Sequence, residues 1–504
     1  MQPLDARSLP ALAGSVSVPT YDRSRVRVGI VHLGVGGFHR SHQAMYVDRL
    51  LEQGQAQDWG ICGVGVLPSD RRMAEVMAAQ QGLYTLVVKH TDGTLDARVV
   101  GSIVEYLLAP DDPESVVERM AAATTRIVSL TVTEGGYNVS AVSGEFDATA
   151  PEVVGDLRPG AALRSTFGLV TEALVRRRDR GLAPFTVLSC DNIEHNGDVA
   201  RRSFAAFAAL RDPELGAWVD REVPFPNSMV DRITPATTDE DRADVARRSG
   251  VEDRWPVVCE PFTQWVLEDR FGLGRPPLED AGVQVVDDVE PYERMKLRLL
   301  NAGHQALAYL GRLAGHELVH DAVTDPLLAR LLLGYLEHEA TPTLLPVPGI
   351  DLDDYRRTLV ARFANPHIRD TLARLAVDGS ERLPKWLLPV VRENLASGGE
   401  VRRSAAVVAG WARFAEGVDE QGQPIEVVDR RRDTLVAGAR RQREDPLAFL
   451  ADRELFGDLV DDERFTRHYR AVLGSLHERG TRATLEALVD SLPAPSSSPD
   501  STPP

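Results

Sequence analysis

The run Val26-Arg27-Val28-Gly29-Ile30-Val31-His32-Leu33 continues without a break into Gly34-Val35-Gly36-Gly37-Phe38-His39-Arg40-Ser41-His42, and its reading decides the fold. A short, nearly continuous apolar run is what a strand covered on both faces looks like. Glycines placed directly after such a strand, with a helical pattern following, let the backbone approach a pyrophosphate at a helix N-terminus. Gly34 and Gly36 occupy the first two positions of G-x-G-x-x-G, whereas His39 stands where the third glycine belongs. A plain glycine turn competes with the dinucleotide reading, which is favoured by the loop's place after the first strand of a βαβ unit.

The same pattern repeats downstream. The runs 60–67 (GICGVGVL), 126–133 (RIVSLTVT) and 185–191 (FTVLSCD) alternate with amphipathic helix candidates at 42–54, 71–80, 113–123, 169–181 and 199–210. Strand–helix alternation predicts right-handed crossovers and a mostly parallel sheet. Residues 84–108 break the pattern, and Asp92-Gly93 between two strand-like runs signals a hairpin. From Pro291 the periodicity becomes helical throughout, in 292–315, 325–340, 353–365, 367–379, 405–417 and 464–480. The chain therefore reads as an α/β domain over residues 1–288 and an all-helical domain over 289–490. The Pro/Ser-rich stretch 491–504 is expected to be a disordered tail.

Composition narrows the function. With 504 residues, 43% hydrophobic and 26% charged, the chain has room for two to four domains of about 100–200 residues each. Fifty-seven Lys and Arg against seventy-five Asp and Glu give a net charge of −18, which disfavours nucleic acid and anionic membrane as partners. Acidic helical surfaces suit monomers and dimers equally, so charge sets no oligomeric state. Cys62, Cys190 and Cys259 each lie in an apolar run, without metal-ligand spacing, and read as small core residues. No signal-peptide h-region and no long apolar span is present, so a cytoplasmic protein is expected.

Several polar constellations carry chemistry. Asp70, after the second strand, is placed to bind the adenosine ribose, favouring NAD over NADP, although it lies further along than the usual ~20 residues. Arg71 and Arg72 pull toward NADP, and a helix-capping role for Asp70 competes. On a helix of about 100° per residue, Lys296, His304 and Asn301 project near 0°, about 80° and about 140°. Leu300 and Leu307 back the amine, and desolvation is how a lysine becomes a general base near neutral pH. A solvated helix face is the alternative. Thr131–Tyr137 and Ser189–Gly197 follow strands, where ligands of open α/β sheets collect, or are simple turns. Pro226–Pro235 sets the pair Asp231-Arg232 inside an apolar, proline-bounded segment.

Taken together, GVGGFHRSH, TVTEGGY, SCDNIEHNG, PNSMVDRITP and K-x4-N-x2-H closely resemble the polyol-specific long-chain dehydrogenase family, in order, from about residue 25 to about 480. The resemblance implies a Rossmann-type domain, a helical C-terminal domain, and metal-independent, NAD-dependent interconversion of a sugar alcohol and its ketose. D-mannitol and D-fructose come first, with fructuronate reduction and D-arabinitol oxidation as alternatives. It also implies the roles. Lys296 is the general acid/base, Asn192 and Asn301 hold the alkoxide oxygen, and Glu134 is the lysine's proton-relay partner. His304, Asp231, Arg374 and Asn227 bind substrate, while Gly34, Gly36, Phe38, His39 and Asp70 bind the cofactor. A non-catalytic nucleotide sensor is disfavoured because Lys296, Asn301, His304 and Asn192 are all in place.

Overall fold

A computed structural model describes residues 2–139, 145–158 and 160–493. The side chain of Glu134 and residues 494–504 of the expected tail lie outside this description. The chain divides into two compact units, Met1–Val289 and Glu290–Pro504.

The first unit is built on five parallel strands: β1 (Val28–Leu33), β2 (Gly60–Gly65), β3 (Ile103–Leu108), β4 (Ile127–Leu130) and β5 (Thr186–Ser189). Their order is β3-β2-β1-β4-β5, so the sheet starts at its centre and reverses direction of growth after β3. That reversal opens a crevice at the C-terminal ends of β1 and β4. Alternation along each strand feeds both faces. Val31, Leu33, Val64, Val128, Leu130 and Val187 pack under the helices Pro113–Ala121 and Thr166–Asp179. Ile30, Ile61, Ile127 and Leu188 pack on the opposite face. Three smaller sheets accompany the central one among the described residues, one of them the short parallel pair Gln2–Pro3 with Val251–Glu252. Tyr84–Lys89 pairs antiparallel with Leu95–Val100 through the Asp92-Gly93 turn, where Gly93 has φ +84°. Ser228–Asp231 pairs antiparallel with Gln264–Glu268.

Helix α1 (Gly37–Ser41) follows the glycine loop and α2 (Gln43–Glu52) continues it, while α3 (Asn196–Arg211) follows β5. Two helices not among the sequence candidates, Pro213–Glu222 and Asp239–Ser249, are started by Asp212 and Thr238, whose side chains accept from the first-turn amides.

Among the described residues the second unit contains no strand, only two isolated bridges. Its centre is α4 (Ala302–Leu313), buried on every side over most of its length, packed against α5 (Pro326–Tyr335), α6 (Arg402–Phe414) and the short helix Leu372–Ala376. A helix buried on all sides is a core helix. The last helix, α7 (Glu463–Asp490), is interrupted at Gly480, whose φ of 79° and ψ of 173° are not helical. The expected uninterrupted helix over 292–315 is corrected: Glu290–Met295 and α4 are joined by a wide π turn, Lys296–Asn301. Hydrogen bonds reaching five residues back replace the four-residue pattern there.

No helix among the described residues is long and apolar enough to cross a membrane. All three cysteines are free and buried.

Candidate active site

In the first unit the site begins where β1 ends. Gly34 has φ +94°, and a Cβ there would stand 2.2 Å from the carbonyl oxygen of Thr131. Only glycine fits. The Thr131 hydroxyl donates to the Gly34 carbonyl at 2.7 Å, and His32 Nε2 lies 2.9 Å from the same hydroxyl. Because the threonine's one proton goes to Gly34, the histidine must supply the N–H. Gly36 is different. It caps α1 with φ −106°, and a Cβ there would meet nothing closer than 4.0 Å. The protein's own packing does not require glycine at 36.

The His39 side chain lies in the interior of the first unit. It is 1% exposed, and its ring stacks on His32 with centroids 3.5 Å apart. Both ring nitrogens are buried without a hydrogen-bond partner. The side chain in the third-glycine position thus packs inward against His32. Burial pushes its pKa well below the ordinary value, with the neighbouring His32, Arg40 and His42 adding to the effect, and burial takes His32 down to about 3. Phe38 is half-buried and stacks on His42. Arg40, fully buried, fastens α1: its Nε donates to Gly36 O and its Nη1 to Trp255 O, while Tyr84 Oη donates to its carbonyl.

Asp70 precedes the helix Arg71–Ala79, but its side chain makes no cap hydrogen bond to that helix and turns back to the end of the strand instead. Its Oδ2 accepts from the amides of Val66 and Leu67, both at 2.9 Å, and neither bond uses Oδ1. The two arginines beside it are occupied, Arg71 with Asp111 and Arg72 over the Trp255 ring.

Asp191, quoted in the sequence but given no role there, joins the loops after β4 and β5. Its carboxylate accepts from the amides of Val132 (3.1 Å) and Thr133 (2.9 Å) and from Tyr137 Oη (2.8 Å). Thr133 sits at φ 67°, ψ 166°, a conformation that costs an L-residue energy and persists where surrounding bonds over-determine it. Glu134 follows it in a single turn, Glu134–Tyr137. Asn192 is part-buried on the loop leading to α3.

Asn227 is engaged within the first unit. Both N–H donors of its amide go to Glu268 and Asp198, and its Oδ1 accepts from the Asp198 amide in the first turn of α3. The side chain braces a helix start and is spent. Asp231 ends the strand Ser228–Asp231 and is 2% exposed. Its neighbour Arg232 donates to the carbonyls of Glu260 and Ser41, so the arginine of this pair is structural.

In the second unit Lys296, Asn301 and His304 are 5%, 8% and 6% exposed, which excludes the solvated-face alternative. In the wide turn the Ala302 amide bonds Leu297 O, five residues back. Residues five apart then fall close to one line, so Lys296 and Asn301 share a row instead of standing about 140° apart. Asn301 Oδ1 is buried with no hydrogen-bond partner. The His304 ring stacks on Phe363 at 4.1 Å. Arg374 is 44% exposed and grips Asp370 through Nε (2.6 Å) and Nη2. Burial drives the Asp370 carboxyl upward, but the guanidinium, aided by His304, holds it below the usual range. Asp370 was missed, although its position four residues before Arg374 on a helical pattern was a signal. Among the described residues no group of three or more His, Cys, Asp or Glu could hold a metal ion.

Comparison with known proteins gives consistent results along the whole chain. Residues 28–280 match the model of the mannitol dehydrogenase Rossmann domain and residues 288–476 that of the mannitol dehydrogenase C-terminal domain. Mannitol 2-dehydrogenase of Phaeosphaeria nodorum is 46% identical over 486 residues, covering 96% of this chain and 85% of the relative. That of Aspergillus fumigatus is 44% identical over 498 residues, covering 97% and 99%. The structure of Pseudomonas fluorescens mannitol 2-dehydrogenase in ternary complex with NAD and D-mannitol superposes with a TM-score of 0.93 at 43% identity, covering 98% of this chain and 100% of that one. A substrate-free D-sorbitol dehydrogenase gives 0.82 at 39% identity, covering 96% and 100%.

Two substitutions separate packing from binding in the glycine loop. Gly34→Ala meets the Thr131 carbonyl and pays about 1–2 kcal/mol for the left-handed backbone alone, so a large drop in melting temperature is expected. Gly36→Ala is expected to melt like the parent and to bind NADH at least tenfold more weakly, measured by fluorescence titration. For His39 the sign follows from its lowered folded pKa. The unfolded chain takes up the proton first, so stability falls as pH drops below about 6.5, by up to about 1.4 kcal/mol per pH unit. His39→Leu is expected to flatten that acid limb in urea titrations while leaving NADH affinity within twofold.

Proposed function

The chain belongs to the mannitol dehydrogenase family, and from that premise we propose that it interconverts D-mannitol and D-fructose with NAD(H), without a metal ion, using Lys296 as the acid/base. The observation that carries this reading is the buried row of amine and amide, Lys296 and Asn301, with His304 one short step further along the same helix.

The glycine loop fits a dinucleotide on a feature of the molecule itself. Gly36 leaves open the space a Cβ would take, at a helix start with no side-chain cap, which is the cradle a pyrophosphate needs. Gly34, Gly36 and the backbone at Phe38 would hold the pyrophosphate, and Asp70, through Oδ1, the adenosine ribose. The engagement of Arg71 and Arg72 elsewhere favours NAD over NADP. When bound, NAD supplies the hydride acceptor.

Lys296 Nζ takes the proton from the C2 hydroxyl of the polyol in the oxidising direction and returns it to the ketose oxygen in the reducing one. The Asn301 and Asn192 amides donate to that oxygen as its negative charge develops. A fixed donor of this kind is worth about 2.7–4 kcal/mol in a dry site. His304, Asp231 and Arg374 bind substrate hydroxyls, and Glu134 passes the lysine's proton onward. Asn227 acts at one remove, through the α3 start it braces. Because Asp370 neutralises Arg374, the site suits an uncharged polyol better than a uronate. The D-sorbitol dehydrogenase likeness supports D-sorbitol as a second substrate reading.

A spectrophotometric screen at 340 nm, with chelator present, tests the proposal. NADH should be consumed fastest with D-fructose, and NAD reduced with D-mannitol more than with D-sorbitol or D-arabinitol. Activity confined to fructuronate would overturn the substrate, and activity abolished by the chelator would overturn the metal-free mechanism. Lys296→Ala is expected to bind NADH normally, lose 10²–10⁴-fold in kcat, and recover part of it with added primary amines. Near-parental turnover would remove Lys296 from the mechanism.

A further inference from the structure

The wide turn that aligns Lys296 with Asn301 has an external hold. Within it the Ala302 amide bonds the carbonyls of Leu297 and Leu299 and passes over that of Arg298, the acceptor it would use in an ordinary α-helix. The Arg298 carbonyl instead accepts a hydrogen bond from Tyr335 Oη at 2.9 Å. Both residues are buried, Tyr335 completely and Arg298 to 4% exposure, so the bond is shielded from competing water. The Arg298 side chain is fixed too, donating to Thr343 O and to the Glu393 carboxylate at 2.7–2.8 Å. Tyr335 closes α5, and a second wide turn, Leu336–Ala340, starts directly after it and packs against the first.

A wide turn is an α-helix carrying one extra residue, and it is marginal on its own because the α-type bond is the alternative at the same carbonyl. Without the tyrosine hydroxyl, the Arg298 carbonyl would recapture the Ala302 amide and the extra residue would be expelled. Residues before the turn would then swing by about 100° against those after it. Lys296 lies at the front of the turn, and Asn301 and His304 at its back.

We propose that Tyr335 is a positioning residue for the reaction: its hydroxyl holds the wide turn open and so sets the orientation of the Lys296 amine toward the oxygen held by Asn301. The inference rests on Lys296 being the acid/base and adds the group that aims it. Tyr335 itself does not touch substrate or cofactor.

The test compares Tyr335→Phe with Thr341→Val in the full-length protein. Thr341 Oγ1 donates to Leu336 O at 2.7 Å, a carbonyl that already accepts the five-back amide of the second wide turn, which makes it a control for the loss of a part-buried hydroxyl bond beside a wide turn. Expected for Tyr335→Phe are a kcat at least tenfold lower, an NADH dissociation constant within twofold of the parent, and a displaced acid limb in the pH profile of kcat. Thr341→Val should lower the melting temperature comparably and leave kcat within twofold. A second arm introduces Tyr335→Phe into Lys296→Ala rescued with a primary amine. A free amine is not carried by the turn, so the tyrosine penalty should shrink to less than twofold there.

Full activity in Tyr335→Phe, an equal kcat loss in Thr341→Val, an undiminished penalty in the rescued background, or failure of Tyr335→Phe to fold would each overturn the proposal. If Lys296→Ala keeps its turnover, the acid/base reading fails first. If Lys296→Ala is inactive and Tyr335→Phe is active, only the positioning role falls.

Discussion

The contact between Gly34 and the Thr131 carbonyl governs the first unit. Two neighbouring parallel strands end side by side, and one backbone passes so close to the other that a single methyl would collide at 2.2 Å. This closeness lets the Thr131 hydroxyl reach the Gly34 carbonyl, and it orients His32 beneath both. The chain leaves β1 turning left-handed at Gly34 and enters α1 at Gly37, with Gly36 as a cap that offers no side chain. Everything ascribed to the cofactor loop follows from that exit. Its open side is Gly36, where a Cβ would meet nothing closer than 4.0 Å.

The fold class was legible because its signals are local and redundant: four apolar runs, helical periodicity between them, and a change of period after residue 288. The hairpin at Asp92-Gly93 was legible for the same reason. Less visible were the helices Pro213–Glu222 and Asp239–Ser249, whose charged surfaces hide a short buried stripe, although their caps were in plain sight. The site was legible in residue types and only partly in geometry. Spacing on an ideal helix separates Lys296 from Asn301, and nothing in the residues between them announces a wide turn, which depends on a tyrosine more than thirty positions away. His39 and Asn227 lie inside motifs yet face inward. A motif marks which residues occur together, not which way each points.

Buried arginines are met by backbone carbonyls in both units, as with Arg298, Arg403 and Arg413 in the second. In the first, histidines and arginines are placed under the loops, and their cost is met by backbone carbonyls, as with Arg40 and Arg232, or left standing, as with the nitrogens of His39. In the second, the candidate chemistry sits on one buried helix whose polar residues interrupt an otherwise apolar core. The Asn301 oxygen left without a partner there is an unmet demand that a substrate hydroxyl is suited to satisfy.

Asp191 ties the loops after β4 and β5 through three hydrogen bonds to one carboxylate. These loops carry Glu134 and Asn192, a proton-transfer group and an oxygen-holding amide in the proposed mechanism. Loops that share such a rivet do not drift apart independently. A lineage altering its substrate range by remodelling one of them must carry the other along or first give up the aspartate, so the route to new specificity runs through paired changes.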